Sequence, residues 1–239
     1  MSEKITFILD GAVVQGEPGQ TIMQAADALG IYIPRLCAHK DLETFGSCRV
    51  CTVLVNGRAQ AACIQTIAEG IMVENKSERV LKLRKDIIEM LFVEGNHFCM
   101  FCEKSGNCEL QALAYRFGIL EPKYPYQFPQ RDLDASHPDI FIDRNRCILC
   151  GRCMRASRDI DKKHVFQFVG RGPHKRIAVN SRTGLGDTNA SAADRAMEVC
   201  PVGAILKKRV GYAVPFGRRL YDRAPIGTEI EKTIAAKSK

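Results

Sequence analysis

Tryptophan is absent from this chain, and aromatic residues make up only 7% of it. Its cores must therefore be aliphatic and small, and small cores need covalent or metal staples. No apolar run approaches the roughly 18 residues that a bilayer span requires. The opening MSEKITFILDG has no secretory-leader pattern. A cytoplasmic protein without a membrane segment is expected. A G-x-G-x-x-G run after a strand is also missing, and Gly170-Arg171-Gly172 lacks that context. Without it no dinucleotide fold is apparent. Repeats and low-complexity tracts are absent too, and 26% charged against 46% hydrophobic residues argues against wholesale disorder.

Cysteine, by contrast, is abundant. An odd count of eleven, with no leader, argues against a secreted disulfide scaffold. With one histidine the cysteines divide into three groups of four, and none is left over. The first is Cys37, Cys48, Cys51 and Cys63; the second is His97, Cys99, Cys102 and Cys108; the third is Cys147, Cys150, Cys153 and Cys200.

The third group is the most specific. A C-x2-C-x2-C run followed by a remote Cys200-Pro201 is the ferredoxin pattern for a [4Fe–4S] cluster. The run occurs once, so Cys200 must close the same cluster. The first group is spaced C-x10-C-x2-C-x11-C, with Gly46 and Ser47 placed to wrap an inorganic sulfide. Its ten-residue gap departs from the plant-type four, so the assignment to [2Fe–2S] rests on the surrounding β-rich pattern. Cys37-Ala38-His39 mimics half of a Rieske site, but Cys51 occupies the other half's place and His39 is a bystander. In the second group three cysteines cannot complete a cubane, and a neutral imidazole from His97 supplies the fourth bond. Replacing a thiolate by a neutral nitrogen raises the potential. Zinc also accepts such donor sets, which keeps a zinc-stapled structural protein as the alternative of a different class.

The formal charge of +8 invites a nucleic-acid reading. Three clusters would remove about five charges, leaving roughly +3. No aromatic-interleaved basic stripe is present, so no nucleic-acid partner is expected.

Residues 1–76 alternate as two hairpins, at Asp10-Gly11 and Asn56-Gly57, around a helix from Thr21 to Leu29. Ser77 starts a helix to about Val93, with Val80, Leu83, Ile87, Met90 and Leu91 as its apolar stripe and Lys82, Arg84 and Lys85 on its wet face. A short helix runs from Cys108 to Phe117. Residues 121–139 form a connector. Residues 140–210 hold a cysteine-rich turn, strands at Val165–Val169 and Arg176–Val179, and a helix at Ser191–Val199. The segment 211–239 reads as a tail that lies on a partner. The expected fold is α+β: a β-grasp [2Fe–2S] ferredoxin-like domain (1–76), a small helical [4Fe–4S] domain with one histidine and three cysteines (77–120), and a [4Fe–4S] ferredoxin-like domain (140–210).

The order of these units, with CEKSGNCELQ, CILCGRCMR and CPVGAI, resembles the N-terminal electron-transfer region of the large iron–sulfur subunit of respiratory NADH dehydrogenase. It is also similar to the corresponding region of iron-only hydrogenases. The resemblance covers about residues 1–210. Those proteins continue into further domains; the length here resembles the small diaphorase subunit of cytoplasmic NAD-reducing nickel–iron hydrogenase. One spacing departs: the family pattern is H-x3-C, whereas His97 stands one residue from Cys99.

The resemblance implies one [2Fe–2S] and two [4Fe–4S] clusters here, and no catalytic residue. FMN, NAD and the Ni–Fe centre would sit on partners, namely an FMN/NAD-binding diaphorase subunit and the small and large hydrogenase subunits. The same wire in a formate dehydrogenase, a bifurcating hydrogenase or an NADH dehydrogenase is the alternative within the class.

Overall fold

The computed structural model describes the backbone of residues 3–235 and the side chains of residues 3–231. Strands β1 (Ile5–Leu9) and β2 (Ala12–Gly16) meet at Asp10-Gly11, where φ is +51° and +83°. Helix α1 (Ile22–Ala28) starts on a capping box in which Thr21 and Gln24 each accept the other's backbone N–H. The second hairpin, β3 (Thr52–Val55) and β4 (Arg58–Ala61), turns at Asn56-Gly57 with φ of +48° and +78°. Both turns use residues that tolerate positive φ, matching the twist of paired strands. Strand β5 (Met72–Glu74) then enters parallel to β1 and antiparallel to β3, giving a five-stranded sheet ordered β2-β1-β5-β3-β4. Phe7, Ile22, Ala26 and Val53 fill the space between sheet and helix.

Helix α2 (Glu78–Val93) follows Ser77, whose hydroxyl makes no capping bond. Its buried face runs Val80, Arg84, Ile88, Phe92, a four-residue period. The expected stripe is therefore rotated. Met90 is exposed, and Arg84, expected in water, is only 2% exposed. Arg84 donates to Thr52 O, Asn75 O and Asn75 Oδ1, which ties α2 to the sheet. Helix α3 (Glu109–Arg116) has Cys108 as its N-cap residue.

After α3, β6 (Leu133–Asp134) lies in the stretch expected to be a plain connector. It pairs with β7 (Ile140–Asp143). Helix α4 (Arg152–Asp159) follows the expected cysteine-rich turn and takes in Cys153. Strands β8 (Phe166–Val169) and β9 (Arg176–Val179) form a hairpin. Helix α5 is shorter than expected, at Arg195–Glu198. The Asp194 carboxylate takes the Ser191 N–H at 2.8 Å, and Asp161 takes those of Arg195 and Ala196, so the preceding residues form a turn. Strand β10 (Ile205–Lys207) closes antiparallel on β7.

The terminal segment returns to the chain, contrary to a tail lying on a partner. Leu220 N donates to Asn107 Oδ1 at 2.8 Å and Tyr221 N to Gly106 O at 2.9 Å. Ile226 is buried, Arg116 donates to its carbonyl, and α6 (Thr228–Ala235) follows. The last residues of the chain, 236–239, lie outside the described part. Among the described residues, no helix is long and apolar enough to cross a membrane.

Candidate iron–sulfur sites

The first group lies where two apolar cores meet. Cys51 and Cys63 belong to the core of the five-stranded sheet, and Cys37 and Cys48 to the core shared with the rest of the chain. All four are buried. Gly46 and Arg49 take left-handed φ of +67° and +59°, so the loop curls around Cys48. Cys37 N–H donates to Cys48 Sγ at 3.3 Å. The side chains reach one another: hydrogen bonds from Cys48, then Cys63, hold the Cys37 thiol far below its usual range. A bond from Cys63 brings Cys51 to about 7. Cys48 and Cys63, the proton holders of this set, are pushed up. Proton sharing of this kind marks sulfurs that release protons when a cation arrives. His39 stays outside the set, its Nδ1 accepting the Asp41 N–H at 3.2 Å.

In the third group, Leu149 and Gly151 take φ of +54° and +69° between the cysteines. The loop thereby turns the N–H groups of Leu149, Arg152 and Met154 onto Cys147, Cys150 and Cys153. All four cysteines line one small enclosed cavity, about 20 Å³, walled by Ile142, Ile177 and Phe168. Burial pushes Cys147 up to about 11 and Cys150 to about 12. Four thiols in an apolar wall ionise only against positive charge, and N–H···S donors favour the thiolate form. That donor chemistry fits a cluster, whose potential depends on such bonds and on burial.

The second group is more open. Cys99 and Cys102 are partly exposed and Cys108 is buried. Cys108 Sγ accepts Gln111 N–H at 3.5 Å, and Arg146 Nη1 approaches Cys102 Sγ at 3.7 Å. Burial pushes Cys108 up to about 12. His97 is assigned to this group by sequence; its ring packs edge-on against Phe92 at 5.6 Å. Its Nε2 is buried without a hydrogen-bond partner, and burial pushes its pKa down to about 4. A neutral, unpartnered ring nitrogen is what a metal ligand requires.

Among the described residues, no three ligating side chains converge at the spacing of a single bound ion. Contacts order the groups. Arg155 donates to Cys37 O and Cys150 O, joining first to third. Glu109 N donates to Pro201 O at 2.8 Å, joining second to third. A groove of about 480 Å³ opens beside Cys99, lined by Met100, Tyr115, Tyr212 and Phe216. Met100 is 85% exposed, and its chain neighbours Phe98 and Phe101 are 52% and 72% exposed. Sequence reading missed the buried arginines around these groups, whose charge signalled solvent.

The chain is similar to known iron–sulfur proteins. Residues 2–78 match a 2Fe-2S iron-sulfur cluster binding domain, residues 84–123 the NADH-ubiquinone oxidoreductase-G iron-sulfur binding region, and residues 140–206 a 4Fe-4S single cluster domain. The chain is 42% identical to the gamma subunit of the NAD-reducing hydrogenase HoxS of Cupriavidus necator, covering 93% of this chain and 94% of that protein. It is 35% identical to the NADP-reducing hydrogenase subunit HndD of Solidesulfovibrio fructosivorans, but spans only 36% of it. In the solved structure of an NAD+-reducing [NiFe]-hydrogenase in the H2-reduced state, one chain superposes with a TM-score of 0.90. That chain is 48% identical, with 93% of this chain and 95% of that one covered.

Proposed function

Because this chain belongs to the family of NAD-reducing hydrogenase gamma subunits, iron–sulfur electron-transfer proteins related to the iron–sulfur subunit of NADH-ubiquinone oxidoreductase, we propose that it carries electrons between a hydrogenase module and an FMN/NAD-binding diaphorase subunit. Cys37, Cys48, Cys51 and Cys63 would hold a [2Fe–2S] cluster. His97, Cys99, Cys102 and Cys108 would hold one [4Fe–4S] cluster, and Cys147, Cys150, Cys153 and Cys200 the other. The observation that carries the reading is the enclosed apolar cavity lined by all four cysteines of the third group.

Bound clusters supply one-electron storage at low reorganisation cost. This chain's residues do the rest. Backbone N–H groups stabilise thiolates, apolar walls exclude water, and Arg155 and Glu109 hold the groups in the order first, third, second. No substrate bond is made or broken here, in keeping with the lack of a nucleophile, base or dinucleotide fold in the motifs. Hydrogen oxidation and NAD reduction belong to the partners, the small and large hydrogenase subunits and the diaphorase subunit. The groove beside the partly exposed Cys99 suits the face of one partner subunit.

The test is iron, acid-labile sulfide and zinc per chain on this protein purified anaerobically by itself, followed by low-temperature EPR after reduction. About ten irons and ten sulfides, with signals from both cluster types, are expected. About three zincs without sulfide would overturn the proposal. Co-purifying subunits distinguish a hydrogenase from a formate dehydrogenase carrying the same wire.

A further inference from the structure

Arg152 touches the surroundings of all three ligand groups. It lies between Cys150 and Cys153 and is 2% exposed. Its Nη2 donates to Ala38 O at 2.8 Å, beside Cys37, and its Nη1 reaches Val199 O at 3.4 Å, beside Cys200. Both Nη atoms also pair with the Glu109 carboxylate, at 2.6 Å and 2.8 Å, next to Cys108. The remaining donor, Nε–H, is buried without a partner. A buried guanidinium with an unsatisfied donor, paired to a half-buried carboxylate, is costly to a fold; an apolar pair of similar volume would often serve stability as well. This pair's placement therefore calls for a role other than holding the chain together.

Charge supplies that role. Interactions are screened little around the buried Arg152 and only partly around the half-buried Glu109. A cluster becomes one unit more negative on reduction, so a fixed cation favours the reduced form and a fixed anion opposes it. We propose that the Arg152–Glu109 pair sets the difference in potential between the second and third clusters, Arg152 raising that of the third and Glu109 lowering that of the second. Both are positioning residues, acting through their fields. The step they tune moves one electron from one cluster to the other, oxidising the donor and reducing the acceptor by one. No bond forms or breaks and no proton moves, because an arginine does not give up its proton at working pH. The proposal rests on the electron-wire reading above.

The experiment is potentiometric titration of the purified complex, with EPR resolving the two [4Fe–4S] signals. Arg152→Gln should lower the potential of the third cluster, and Glu109→Gln should raise that of the second. Each shift should change the electron's distribution at least about tenfold, or about 59 mV for a one-electron couple. The double variant should fall between the singles, and Arg152→Lys, which keeps the charge, should stay near the unmodified protein. Shifts of the same sign in both single variants, or no shift in either, would overturn the proposal in favour of a structural role. If Arg152→Gln fails to assemble its cluster, Glu109→Gln decides alone: an upward shift supports the pair and none sinks it. Absence of iron and sulfide from the unmodified complex would remove the electron-wire reading itself, an outcome distinct from unchanged potentials.

Discussion

Gly203 lies so close to Cys102 that a Cβ on the glycine would stand 2.5 Å from the Cys102 sulfur. The residue follows the Cys200-Pro201 turn, so backbone serving the third group forms the floor of the second. Real Cβ atoms are not found at such a distance, and Lys104 and Arg146 close the other sides.

Gly203→Ala should therefore disturb the second cluster and spare the third. The glycine is not in the left-handed region, so the backbone accepts alanine and only the collision counts. If Cys102 holds the second cluster as proposed, its thiolate has no freedom to move away. We expect loss of one [4Fe–4S] EPR signal and iron falling from about ten to about six per chain. A full iron complement with both signals intact would show that Cys102 is free to shift.

His97→Cys should preserve the second cluster and lower its potential, because a thiolate adds the negative charge that imidazole withholds. His97→Ala should lose or degrade that cluster. The buried, unpartnered Nε2 motivates the assignment. Redox titration checks it, and an unchanged cluster with unchanged potential in His97→Ala would remove His97 from the ligand set.

His97 also predicts a pH dependence. Burial holds its folded pKa near 4, against an ordinary 6.5. Below 6.5 the unfolded chain takes up a proton that the folded chain refuses, so stability falls as the pH drops from 6.5 to 4. Below that range both states are protonated and the loss is complete, about 3 kcal/mol. Iron ligation works in the same direction, since only neutral imidazole binds. Urea midpoints of the unmodified protein and His97→Gln should thus converge as the solution is acidified. Parallel midpoints across the range would show that the ring titrates normally.

The ligand spacing and both hairpin turns were legible because each rests on local chemistry: a thiolate pattern, or a dipeptide that tolerates positive φ. What was not legible was charge that is buried. Arg84, Arg152 and Arg155 are each 2% exposed, though a sequence places arginine in water by default. They are buried because their donors meet carbonyls that loops around the ligand groups leave unpaired, an arrangement only the folded chain creates. Helix α4 went unseen for the same reason: Arg152 and Arg155 mask the face that packs inward. The returning terminal segment was equally hidden, since Ile226 and Leu220 lie in no periodic pattern, and it is Asn107, Gly106 and Arg116 that fix their course.

Arg84 gives the sharpest test of buried charge as a structural element. Burial pushes its pKa down to about 10, so it remains charged at neutral pH, yet its partners are carbonyl and amide oxygens. One of them is Thr52 O, on the residue after Cys51, a proposed ligand. Arg84→Met keeps most of the volume and removes every donor, leaving buried acceptors unsatisfied at about 1–3 kcal/mol for the group. The loss should appear as a lower denaturation midpoint. It should also appear as weaker retention of the [2Fe–2S] cluster, because the strand that follows Cys51 loses its tie to α2. Arg84→Lys offers one donor group where three bonds are needed and should recover only part of both. If Arg84→Met matched the unmodified protein in midpoint and in [2Fe–2S] signal, the arginine would be a passenger of the core and the seam between sheet and helix would rest on apolar packing alone.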